Sequence, residues 1–198
     1  MSLIVFDGGT FVADSIGVSY NSRYNALKLY CLNDNQVGGL VGDLAQGQQL
    51  LRRFVEKGPE HAWYEPGANT SDPSSATVFV YDKNLGVLFW SADPNQPMTV
   101  EPVEPFAIGA DDTRLVAEAA LDAGSHARLA MATAYETSRR RFASQYVQPP
   151  FLAVNMLLPG TLLCYEDTNA LVAGADSAAP TWARKINRVI TGYSPLGK

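Results

Sequence analysis

Ser2 could do chemistry only if Met1 is removed, and taken alone a serine in second position means little, since most are simply permissive there. Its hydroxyl would then lie beside its own α-amino group, whose ordinary pKa of about 7.7–8.0 suits a general base at neutral pH. A hydroxyl beside a free amine is an accepted activated-nucleophile arrangement. Serine in second position is small enough for ordinary initiator excision, which needs no propeptide. Three other residues follow at intervals: Asp14, Lys28 and Gly42, the last two 14 residues apart. Taken singly each has a plain structural reading. Asp14 suits a strand end, Lys28 a half-exposed strand, and Gly42 a tight connection into a helix. Only their order and spacing together raise a functional reading.

Other chemistries find less support. His61 and His126 are too few and too scattered for a zinc site, and Cys31 and Cys164 form no CxxC pair. A Cys31–His dyad has no spacing in its favour. Gly8-Gly9 and Gly38-Gly39 lack phosphate-loop spacing. The cluster Ser138-Arg139-Arg140-Arg141 reads as a solvated helix end. The net charge of −5 argues against general nucleic-acid binding, which depends on phosphate neutralisation. No metal and no cofactor is expected.

The elements that must position these residues begin with a hairpin. Leu3-Ile4-Val5-Phe6 and Thr10-Phe11-Val12-Ala13 flank the tight turn Asp7-Gly8-Gly9. Gly17 to Tyr24 reads as a polar loop. A second hairpin joins a strand over 26–32 to one over 36–41 through Asn33-Asp34-Asn35. Asp43 can cap a helix over 44–57, where Leu44, Leu50, Leu51, Phe54 and Val55 fall near helical spacing. A long loop over 58–75 leads to a third hairpin, Val78–Tyr81 with Val87–Trp90. Val100 and the 105–109 stretch add one or two strands. Helices over 113–123 and 125–142 follow, then strands over 151–158 and 161–165. Ala173 to Pro180 is rich in small residues and proline, and Trp182 to Ile190 reads as a short amphipathic helix.

Antiparallel hairpins with helices in separate blocks predict an α+β fold rather than alternating βαβ units. A 198-residue chain with 46% hydrophobic and 18% charged residues is expected to form one globular domain. Residues 172–198 read as a segment that packs on the body or assists assembly. No apolar run reaches the ~20 residues of a membrane span. The start lacks signal-peptide character, and two unpaired cysteines suit a reducing compartment, so a cytoplasmic location is expected.

The stretch from Met1 to Glu56 resembles proteasome β-type subunits and the HslUV-type bacterial peptidase. The residues that carry the likeness are Ser2 after the initiator, Val12-Ala13-Asp14-Ser15 at a strand end, and Lys28-Leu29-Tyr30-Cys31-Leu32 leading to Gly42-Asp43-Leu44-Ala45. Phe106-Ala107-Ile108-Gly109 before an Ala-rich helix is a weaker echo. The short first hairpin looks most like compact proteasome-like proteins of phages and bacteria. The resemblance implies an N-terminal-nucleophile hydrolase fold, a four-layer αββα sandwich of two antiparallel sheets between helix layers.

It also implies roles. Lys28 would favour the Ser2 alkoxide and keep the amine neutral, Asp14 would fix Lys28, and the Gly42 amide would face the oxyanion. Ala26, Lys28 and Tyr30 would share a strand face. Ala26 and Tyr30, with Leu40 and Leu44 opposite, would line a first specificity pocket for a modest apolar or aromatic side chain. The implied partners are further copies in a ring and a peptide or protein substrate; no docking motif for an unfolding ATPase is legible. Two departures stand against activity. Ala110 replaces the family's usual serine, and Tyr135-Glu136-Thr137-Ser138 is the nearest match to a later Ser/Thr-Gly-Gly turn but lacks its glycines. A catalytically silent, self-assembling subunit, host-cytoplasmic if phage-encoded, is the alternative.

Overall fold

The computed structural model describes residues 2–19, 22–60, 76–91, 97–141 and 147–196. The elements run β1 (Leu3–Phe6), β2 (Thr10–Asp14), β3 (Ile16–Ser19), β4 (Ser22–Asn25), β5 (Leu29–Cys31), β6 (Gln36–Gly42) and α1 (Leu44–Lys57). They continue with β7 (Ala76–Asp82), β8 (Val87–Ser91), β9 (Thr99–Pro102), β10 (Phe106–Gly109), α2 (Asp111–Asp122) and α3 (Ala127–Arg141). Last come β11 (Phe151–Asn155), β12 (Leu163–Tyr165), α4 (Thr168–Ala173), β13 (Ser177–Ala178) and α5 (Thr181–Thr191).

Two antiparallel sheets form the body. One has the order β10-β1-β2-β11-β12-β13 and the other β5-β6-β7-β8-β9. Strand alternation sends Leu3, Val5, Val12, Phe151 and Ala153 to one face of the first sheet. There they meet Ala117, Ala130, Met131 and Ala134 of α2 and α3. Small residues at these helix positions let the helices lie close. The opposite face sends Ile4, Phe6, Phe11, Ala13, Leu152 and Val154 toward the second sheet. Aromatic rings fill the space between: Phe11 stacks on Phe6 at 4.2 Å and on Phe79 at 5.2 Å. Helix α1 covers the outer face of the second sheet with Leu50, Leu51 and Phe54, and α5 lies against α1 and β5. The result is the expected α+β layering, two antiparallel sheets flanked by helices.

Local chemistry explains the element ends. Asp7 Oδ1 accepts from the Gly9 and Thr10 amides in the first turn, and its Oδ2 accepts from Ala127 N at the start of α3. One carboxylate thus ties a hairpin tip to a helix. Asp43 caps α1 by accepting from Gln46 N at 2.8 Å.

Several expectations need correction. The stretch from Gly17 to Tyr24 is not a loop throughout, since β3 and β4 pair from Ile16↔Asn25 to Ser19↔Ser22. Polar residues form this hairpin because β4 is solvent-exposed along its length. The 26–32 strand shortens to Leu29–Cys31, which leaves Lys28 just before it. The strand expected over 151–158 ends at Asn155, whose side chain accepts from Leu157 N and turns the chain. Thr161 lies outside β12 and forms a lone bridge to Leu196. Helix α4, capped by Asp167, was not legible in the sequence. Of the expected loop over 58–75, residues 61–75 with His61 lie outside the described residues, as does Phe142.

Candidate active site

Strands β1 and β2 are adjacent, and their pairing sets Ile4 opposite Ala13. The next residue along β2, Asp14, therefore lies beside the beginning of β1. Its side chain is fully buried. Oδ1 accepts from Leu3 N at 2.8 Å, and Oδ2 accepts from Lys28 Nζ at 2.5 Å. The ammonium also donates to Ile16 O at 2.8 Å. Lys28 is only 2% exposed. So a buried ion pair is fastened to the backbone amide next to Ser2.

Burial acts on both members of the pair. It pushes the Lys28 ammonium below the ordinary lysine range, opposed by the Asp14 charge. It pushes the Asp14 carboxyl above the usual carboxylate range, opposed by Lys28 and by the Leu3 and Ile16 amides.

Ser2 is 8% exposed and its backbone is gripped from β10. Its carbonyl accepts from Ala110 N at 3.1 Å. Gly109 has φ +145, and a Cβ there would stand 1.9 Å from the Ser2 carbonyl oxygen. Only glycine fits that approach. Ala110 sits at the N-cap of α2 with no side-chain cap, so it serves this site through its amide alone.

Gly42 ends β6 with φ +93, directly before the Asp43 cap of α1. That positive φ is a backbone state glycine adopts at no steric cost, and it turns the chain from strand into helix. The other proposed lining residues are largely enclosed. Ala26, Tyr30 and Leu40 are buried, and Leu44 is half-buried at the start of α1. The Tyr30 hydroxyl donates to Leu27 O at 2.7 Å and accepts from Gln48 Nε2 at 2.9 Å. Burial raises its pKa well above the ordinary tyrosine value.

Two further residues, Ser15 at the end of the Val12-Ala13-Asp14-Ser15 segment and Gln48, which the sequence did not single out, support the candidate site. Ser15 is buried, and its hydroxyl donates to Pro150 O at 2.6 Å while its carbonyl accepts from Ala26 N. Gln48 lies one helical turn beyond Leu44, which was the available signal. The remaining candidates separate from the site. His126 Nδ1 accepts from Leu129 N at the head of α3. Cys31 is buried, and its backbone is bonded to Asn187. Tyr135 to Ser138 lie within helix α3, so no turn is formed there. Arg139 and Arg140 pair with Glu136 at the solvated end of that helix. Among the described residues no group of three His, Cys, Asp or Glu could hold a metal, and no helix is long and apolar enough to cross a membrane.

No protein-family model matches the sequence, and no curated protein matches it. Solved structures do match. Eukaryotic HslV from Trypanosoma brucei superposes with a TM-score of 0.52 at 19% identity, over 78% of this chain and 97% of that one. BPH of Thiobacillus denitrificans, solved in complex with epoxomicin, gives a TM-score of 0.51 at 15% identity, over 79% of this chain and 98% of that one. The chain shares the fold of these two proteins, a sandwich of two antiparallel sheets flanked by helices.

Proposed function

We propose that the chain is an N-terminal-nucleophile peptidase or amidohydrolase that cleaves amide bonds through Ser2 after removal of Met1. The observation that carries this is the buried Asp14–Lys28 pair hydrogen-bonded to the amide of Leu3. Buried ion pairs seldom add stability over apolar residues of the same shape. A pair kept beside Ser2 therefore calls for a functional account.

In the proposed reaction the Ser2 hydroxyl attacks the substrate carbonyl carbon while the α-amine of Ser2 takes its proton. Lys28 holds positive charge near the developing alkoxide and keeps the amine neutral, and Asp14 holds Lys28. The Gly42 amide donates to the oxyanion; one such donor is worth roughly 10²–10³ in rate. Collapse breaks the C–N bond, and the leaving amine takes the proton from the α-ammonium. Water then hydrolyses the Ser2 ester with the amine again as base. Ala26, Tyr30, Leu40 and Leu44 would border the substrate side chain before the scissile bond. With Tyr30 tied to Leu27 and Gln48, a small apolar side chain suits this position better than an aromatic one.

A second reading, a silent subunit that assembles, is favoured by Ala110, which brings no hydroxyl to the amine. The solved complex of the Thiobacillus protein with epoxomicin suggests the probe that separates the two. Intact mass is measured before and after incubation with an epoxyketone. Loss of Met1 with one adduct on Ser2 supports the hydrolase, and retained Met1 without adduct supports the silent subunit.

A further inference from the structure

Between β9 and β10 lies a cleft of about 390 Å³, floored by Leu88, Trp90 and Phe106 and rimmed by Glu101 and Glu104. Its size suits a small molecule or one long side chain. The floor is braced from below. The half-buried Trp90 indole lies parallel to Phe79 at 6.2 Å and meets Phe106 edge to face at 5.8 Å. Phe106 in turn stands edge to face on Phe79 at 5.5 Å. The indole is therefore set before anything binds, and little is lost in ordering it. Register explains the acid beside it. Strands β8 and β9 pair Leu88↔Glu101 and Trp90↔Thr99, so Glu101 shares the sheet face of Leu88 and Trp90. Neither glutamate pairs with a cation among the described residues; Glu101 only accepts a long hydrogen bond from Thr99.

Each class of occupant makes its own demand. An added strand is disfavoured, because β9 has four residues, ends in Pro102 and turns a charge inward, and all three features block pairing at an edge. A divalent metal would find two carboxylates here and, among the described residues, no third His, Cys, Asp or Glu ligand. An anion would meet two charges of its own sign. A flat organic cation meets both the aromatic floor and the acidic rim.

We infer that the β9–β10 cleft binds an alkylguanidinium, the group carried by an arginine side chain or by a free small molecule. Its flat face lies over the Trp90 indole. Its N–H fork donates to the rim carboxylates of Glu101 and Glu104. Its alkyl stem covers Leu88 on the floor. An ammonium holds its hydration more strongly and has no flat face, so it binds less well. The cleft is removed from the candidate nucleophile. Phe106 pairs with Phe6 whereas Gly109 pairs with Leu3, which puts the cleft at the end of β10 away from Ser2. Binding there needs neither Ser2 nor the removal of Met1.

Isothermal titration calorimetry on the full chain at low ionic strength tests this. The probes are butylguanidinium, N-acetylarginine methylamide and the matching citrulline and lysine amides. Citrulline keeps the shape of arginine and loses its charge. Butylguanidinium and the arginine amide should both bind with dissociation constants of about 1 mM or tighter. Tighter binding of the arginine amide assigns the group to a protein chain, and equal or tighter binding of butylguanidinium assigns it to a small molecule. The lysine amide should bind roughly threefold more weakly than the arginine amide, and the citrulline amide roughly tenfold more weakly. Glu101→Gln/Glu104→Gln and Trp90→Leu should each weaken the arginine amide by roughly fivefold or more. Both glutamates are exposed, so the double variant should fold. Circular dichroism checks Trp90→Leu, and Trp90→Phe replaces it if it does not fold. Butylguanidinium that shows no saturable binding by about 20 mM overturns the site. So does a citrulline amide that binds as tightly as arginine, or arginine binding unchanged in the folded double glutamine variant.

Discussion

Asp14 and Lys28 meet at 2.5 Å where neither side chain reaches solvent, and the same carboxylate holds the amide of Leu3. Removing one partner strands the other as an uncompensated buried charge. Lys28→Met or Asp14→Leu alone should lose about 3–5 kcal/mol, whereas the double variant should recover most of that loss. Denaturant unfolding checks it. All three variants should fail to form an epoxyketone adduct, so the double variant would be stable and inert. Peptidase activity that survives in a folded Lys28→Ala variant would sink the proposed mechanism.

The pair also sets a pH dependence. Burial raises Asp14 above 3.8, so just above that value the folded chain holds more protons than the unfolded one. Stability from this group is present below 3.8 and is lost as pH rises through the raised value. Burial lowers Lys28 below 10.5, so its contribution is present above 10.5 and is lost as pH falls through the lowered value. The pair is therefore least favourable between these windows. Relative to Asp14→Leu/Lys28→Met, the wild type should be weakest near neutral pH and should close the gap toward both extremes. Urea midpoints across the pH range measure this.

Gly109→Ala should disturb Ser2 from behind. The added Cβ would lie 1.9 Å from the Ser2 carbonyl oxygen, against backbone that cannot rotate away. The strain should exceed roughly 1 kcal/mol, and a displacement near 1 Å should slow adduct formation about a hundredfold. Gly8→Ala is the control. Its φ is +94, but no heavy atom lies within 4 Å of the new Cβ, so the adduct rate should hold while stability falls.

Asn187 acts as a substitute strand at the β5 edge. Its Oδ1 accepts from Cys31 N at 2.8 Å, and its Nδ2 donates to Cys31 O and to Tyr193 O, each at 2.9 Å. Asn187→Ala leaves those buried backbone groups unpaired, which costs about 1–3 kcal/mol. Hydrogen exchange at the Cys31 amide should quicken in step with the lost stability.

The sequence was most legible where pattern and turn chemistry agree. Asp7-Gly8-Gly9 between two apolar tetrads gave the first hairpin, and Asp43 with the following apolar spacing gave α1 with its observed ends. Legibility failed where the signal was weak or distant. Strands β3 and β4 carry few apolar residues, so the exposed hairpin looked like a loop. Helix α4 is six residues, too short to show a period. The role of Asp7 at the head of α3 spans 120 residues of sequence, and no local pattern predicts it.

By itself the sequence nominated the candidate site residues, because Ser2, Asp14, Lys28 and Gly42, each with a plain structural reading alone, stand together in order and spacing. Spacing also set which strands pair with their neighbours, since short hairpins leave little choice of register. Only the tertiary structure decided what these candidate residues touch. Strand order lays β1 between β2 and β10, and that adjacency puts Asp14 on one side of the Ser2–Leu3 backbone and Gly109 on the other. Burial then turned an ordinary aspartate and lysine into a desolvated pair. Burial is a property of the whole packed sandwich, and a residue's own neighbours in sequence do not supply it.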